Sequence, residues 1–164
     1  MKTILKFTVF TAILLILTGG LASCKKEEPK EIPFSGYCLN DPPCLWTNRG
    51  DCRWTNLSYN NGVIIINDRK KMENYVSCTN FPNIDFSTRT LLLANGSSPN
   101  GISGISTAFY KNSRNKYTMS VSISLNNNLS IDRWVIAILV PKIADKSIVN
   151  LDVHQEYIYI IPKP

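Results

Sequence analysis

His154 is the only histidine in the chain, and Asp152 stands two residues before it. A carboxylate, an imidazole and a hydroxyl are the parts of a nucleophilic triad, and Ser120, Ser122 and Ser124 supply candidate hydroxyls. No Gly-x-Ser-x-Gly elbow presents any of them, however. The three serines alternate with Met119, Val121 and Ile123, the pattern of a solvated strand face. One imidazole also rules out a multi-histidine metal centre. Asp85, Asp132, Asp145 and Glu156 are scattered, and no spacing among them predicts a carboxylate pair. The expectation is a protein that is not an enzyme and carries no metal or cofactor.

Binding chemistry has better material. Tyr37, Trp46, Trp54 and Tyr59 cluster where aliphatic residues are few. Exposed rings in such a segment would stack on sugars or grip a peptide, whereas buried ones would form a small core of their own. The Asn- and Gly-rich stretch 95–101 is a second candidate recognition loop. Charge adds little. The chain has 18 basic and 12 acidic side chains, and Lys2 and Lys6 lie in the opening segment discussed next. Arg69-Lys70-Lys71 is the one basic cluster of the folded region and reads as a solvated helix face. Nucleic-acid binding needs a basic patch on a recognisable module, and neither is present.

The N-terminus sets the compartment. Lys2 and Lys6 are followed by an apolar run that Gly19-Gly20 cuts short, and Leu21-Ala22-Ser23-Cys24 closes it. A basic start, a short apolar core and a small-residue exit form a secretory signal. A bilayer span needs about 20 apolar residues, more than this run supplies. Leu21-Ala22-Ser23-Cys24 resembles the lipobox of bacterial lipoproteins. The resemblance implies cleavage before Cys24, diacylglyceryl transfer to its thiol and acylation of its new amine. Two or more chains anchor stably where one does not. Lys25-Lys26-Glu27-Glu28 is similar to the surface-export signal of some such lipoproteins. The implied location is the outer membrane, facing the cell surface, with the periplasmic face as the alternative.

In an exported chain the remaining cysteines, Cys38, Cys44, Cys52 and Cys78, are expected to form two disulfides of open connectivity. Three of them crowd between 38 and 52, so any complete pairing ties that segment to Cys78. Closing such a loop contributes about 3–4 kcal/mol in the chain-entropy model. The gaps between the cysteines are too long for a zinc site.

These residues need elements to position them. Residues 1–23 form the signal, and 24–36 the lipidated cysteine with a flexible tether carrying Pro29 and Pro33. Residues 37–164 form one domain, opening with an irregular Cys-rich segment over 37–60. Val63-Ile64-Ile65-Ile66 reads as a buried strand. Asn67 or Asp68 then caps a helix whose apolar stripe is Met72, Tyr75 and Val76, with Cys78 at its end. Strands are expected over 90–94, 102–110, 116–125, 134–140, 149–153 and 157–161. The third has strict alternation, and the fourth is apolar throughout and therefore central. The fold class is α+β: a mostly antiparallel sheet or sandwich with one helix after the first core strand.

Three groups of these residues carry a resemblance: Val63-Ile64-Ile65-Ile66-Asn67, Ile84-Asp85-Phe86-Ser87 before Leu91-Leu92-Leu93-Ala94, and 134–142 ending in Pro141-Lys142. Over 54–153 the chain resembles a domain common among bacterial lipoproteins of unassigned activity. More distantly, it is similar to the C-terminal domain of a protease-complex subunit family that associates with and stabilises a partner protease. The resemblance implies a non-enzymatic protein-interaction domain, perched on a lipid anchor, that binds or inhibits a protease. A surface glycan-binding accessory protein is the alternative, with Tyr37, Trp46, Trp54 and Tyr59 as its contacts.

Overall fold

The computed structural model describes residues 28–39 and 51–157. The elements run β1 (Lys30–Glu31), β2 (Ser35–Gly36), β3 (Gly62–Ile66), α1 (Arg69–Glu73), β4 (Arg89–Ser98), β5 (Ile102–Ser113), β6 (Lys116–Leu125), β7 (Asp132–Pro141) and β8 (Ile148–Tyr157). They form two four-stranded sheets, β1-β5-β6-β8 and β2-β7-β4-β3. The sheets face each other across one core, in which Leu92, Phe109, Met119, Val121, Ile123 and Trp134 are buried. The expected fold class is what the structure shows: mostly antiparallel strands and a single short helix among the described residues.

Alternation places β6 as expected. Tyr117, Met119, Val121, Ile123 and Leu125 are buried while the residues between them keep partial access to water. β7 lies between β2 and β4, which explains its apolar run. Its partner β4 is longer than the sequence suggests. The expected loop over 95–101 is strand as far as Ser98, and only 99–101 turn. Asn95 fits because its carboxamide is satisfied inside: Oδ1 accepts from Tyr59 N at 2.8 Å and Nδ2 donates to Gly62 O. Gly96 fits because it lies opposite Trp134, whose ring occupies the space a Cβ would need.

The helix is shorter than expected. Asp68 caps it, accepting from Lys71 N at 2.8 Å. It stops at Glu73, with Asn74 as C-cap. Tyr75 and Val76 leave the helix because the chain pairs with 53–55 instead. Thr55 N donates to Tyr75 O, Ser77 N donates to Arg53 O, and Trp54 bridges Val76. The Cys52–Cys78 disulfide, spanning 26 residues, staples the same pair of segments. It is the tie between the Cys-rich segment and Cys78 that the cysteine spacing requires. Cys38 is also disulfide-bonded, and its partner lies outside the described residues.

Two further expectations are corrected. Residues 30–36, assigned above to the flexible tether, belong to the domain. Lys30 and Glu31 pair with Lys111 and Tyr110, while Ser35 and Gly36 pair with Leu139 and Ile138. Between them Ile32 and Phe34 pack against the core, so apolar burial holds down a stretch that its prolines and charges disguise. The chain end is likewise simpler than two strands. β8 is continuous from Ile148 to Tyr157 and pairs with β6 in parallel. Parallel neighbours need a crossover, and here β7, in the opposite sheet, supplies it. The part of the last expected strand beyond Tyr157 lies outside the described residues.

The sandwich has two distinct ends. At one, Arg114-Asn115 turns β5 into β6, Lys30 pairs with Lys111, and Ile148 N donates to Asn115 O. At the other, Gly101 N donates to Asn128 O, Ile102 N to Asp132 Oδ2, and Tyr157 Oη to Asn100 Oδ1. Lys30, in the first described strand, lies at the first, hairpin end. The second, asparagine-rich end lies a full strand length away, about 33 Å for ten residues.

Candidate functional site

The aromatic cluster is mostly core. Tyr37 and Trp54 are buried, with ring centroids 6.2 Å apart at a 55° tilt. Tyr37 Oη donates to Pro82 O at 2.5 Å. Burial pushes its phenol up to about 12, and the Arg69 charge only partly opposes this. Tyr59 is half-buried beneath the Arg133 guanidinium, 5.0 Å from its ring centroid. These rings join Leu39, Met72, Phe81 and Ile84 in a second apolar cluster behind the β2-β7-β4-β3 sheet. They offer no pair of coplanar open faces. Trp46, Cys44 and Cys24 lie outside the described residues.

The fold does assemble the parts of a triad. β6 and β8 in register set Ser120 beside Asp152, Ser122 beside His154 and Ser124 beside Glu156. All face the solvent side of one sheet. No hydrogen bond joins serine to imidazole or imidazole to carboxylate among the described contacts, so nothing there orients a base onto a nucleophile. No group of three or more His, Cys, Asp or Glu side chains could hold a metal among the described residues. Asp85 is a structural carboxylate. Hydrogen bonds from the Ser87 and Thr88 hydroxyls, and from Ser87 N, hold its pKa below the usual range.

The segments that carry the resemblance converge on a polar knot at the hairpin end. Lys142 Nζ donates to Asn67 O at 3.0 Å and to Phe86 O at 2.7 Å. Thr90 Oγ1 donates to Asn67 Oδ1 and accepts from Ile143 N. These groups lock three connections together and satisfy backbone that would otherwise lie bare. They build the fold.

The surface that stands out is at the opposite end. Leu129 is 90% exposed and Ile131 75%, in the 126–131 connection between β6 and β7. Tyr157, 46% exposed, closes the group through Asn100, whose Nδ2 donates to Asn128 O. The loop itself is rigidly braced: Asn126 Oδ1 accepts from Asn128 N, and Asn126 N donates to Gly101 O. Asparagines thus build a scaffold that holds two large aliphatic side chains in water. Sequence reading passed over Leu129 and Ile131. The available signal was two aliphatics inside a run whose turn chemistry predicts solvent.

Compared with protein families, with curated proteins and with solved structures, the chain matches none. The site therefore rests on its own geometry.

Proposed function

We propose that this chain is a lipid-anchored protein of the cell envelope whose sandwich binds another protein. The observation that carries the reading is the apolar tip formed by Leu129, Ile131 and Tyr157. Grouped exposed aliphatics on a braced loop mark an interaction surface, since leaving them in water forfeits about 1.5–3 kcal/mol per large side chain. The tip's place favours a protein over a membrane as its partner. Cys24 and Lys30 are joined by a stretch that reaches at most about 20 Å, and Lys30 enters at the hairpin end. Lipidation at Cys24 holds that end near the bilayer and carries the tip away from it. The partner class that the sequence resemblance suggests is a protease, bound or inhibited at the outer membrane. The glycan alternative draws no support from Tyr37 and Trp54, both buried.

The experiment is crosslinking on intact cells, comparing the natural chain with a Leu129→Asp, Ile131→Asp variant. Both positions are exposed, so stability should change by less than about 0.5 kcal/mol. The expected result is a discrete crosslinked partner that the variant loses. Recovery of the chain alone, or the same partner from both forms, would overturn the reading.

A further inference from the structure

The four outer strands of the two sheets are unequal. β1 and β2 have two residues each, β3 has five, and β8 has ten. Exposed edges are normally blunted by shortness, lysine, proline or a bulge, because their free N–H and C=O groups template a further strand. β8 is long, has no lysine or proline and shows no bulge against β6; its charges are the outward carboxylates of Asp152 and Glu156. Its sequence, Ile148-Val149-Asn150-Leu151-Asp152-Val153-His154-Gln155-Glu156-Tyr157, has no Lys, Arg, Pro or Gly. Its register with β6 is unbroken throughout. No other described strand pairs with it.

The side chains along this edge pack against the core without being fully covered. β8 adjoins β3 along this flank of the sandwich, and Gln155 Nε2 donates to Ser97 O of β4. There Val149, Leu151 and Val153 of β8, and Val63 and Ile65 of β3, are only partly buried. On the opposite face Asp152 and Glu156 are exposed, flanking His154, and their β6 neighbours Ser120 and Ser124 are uncharged. An added strand would therefore meet aliphatics on its inward side and carboxylates on its outward side.

We infer that β8 receives an extended segment of a partner protein, alternating aliphatic with basic residues, as an added strand. Backbone bonds to the β8 edge supply the affinity, and the seam and the carboxylates supply the selection. This rests on the protein-binding reading and gives it a second contact, continuous with the tip through Tyr157.

The probe is a short synthetic peptide in which valines alternate with lysine, threonine and lysine, the lysines at the spacing of Asp152 and Glu156. It is added to the full lipidated chain in detergent. Amide hydrogen exchange should slow across Ile148–Glu156. Affinity should fall at least tenfold when the lysines become glutamates, when the peptide is N-methylated along one edge, or in an Asp152→Lys, Glu156→Lys variant. The N-methylated arm needs no altered protein, so it decides even if that variant folds poorly. Equal binding of the N-methylated or glutamate peptide overturns the proposal. So does protection confined to Leu129 and Ile131, or a β8-mediated dimer of the chain that the peptide leaves intact. Loss of peptide binding with the Leu129/Ile131-dependent crosslink retained would remove the edge and leave the tip.

Discussion

Tyr37 shows how a ring that looks like a ligand contact becomes a core group. Its hydroxyl is used inside, on Pro82 O, and burial raises its pKa from 10.0 to about 12. The folded state thus prefers the neutral phenol. That preference is fully present below pH 10, and it is lost as pH rises from 10.0 through about 12. Tyrosinate absorbance should show one ring titrating later than the rest, and Tyr37→Phe should remove that late component. An unchanged titration would place the ring in water. Gly96 makes the complementary point about space. An alanine there would drive its Cβ into the Trp134 ring and Asn61 Oδ1. Exposed Asn61 can swing aside, but Trp134, buried beyond reach of water, cannot. Gly96→Ala should lower the stability of unfolding in urea by about 2–3 kcal/mol without changing the slope.

Among the elements, β1 and β2 carry the clearest test. Each has only two residues, too few to hold by hydrogen bonds alone. Ile32 and Phe34 between them supply the apolar contact that fixes both. Phe34→Ala should therefore lower stability by about 1–2 kcal/mol, the loss expected for a partly buried ring. A free tether would leave thermal unfolding unchanged. The helix illustrates the reverse balance. Tyr75 and Val76 continue its apolar stripe in sequence, yet the pairing with 53–55 and the Cys52–Cys78 staple pull them out of it. Tertiary pairing fixes more groups there than one further helical turn would.

At the scale of the whole molecule, position follows from where the chain enters and leaves. The first described strand lies at the hairpin end, and the aliphatic tip lies at the other. On the proposed reading, lipidation of Cys24 would turn this internal polarity into an orientation toward the envelope. Cys24→Ala should release the chain from the membrane fraction with its fold retained, and fatty-acid label should disappear from it. Membrane retention by that variant would sink the anchoring. The crosslinked partner should also be lost in that soluble form if the tip acts only at the envelope surface.

Local chemistry alone was enough for the alternation of β6, the apolar run of β7, a cap at Asn67 or Asp68 and the need to tie the Cys-rich segment to Cys78. Each depends on residues close in sequence or on counting, so each is legible there. Neighbours across space were not. That Asn95 is satisfied by Tyr59 and Gly62, that Gly96 yields its space to Trp134, and that Phe34 lies on the core are facts of packing. That β8 is an edge among the described strands, parallel to β6 and beside β3, depends on which strand crosses to which sheet, and topology leaves no mark on a single strand's composition.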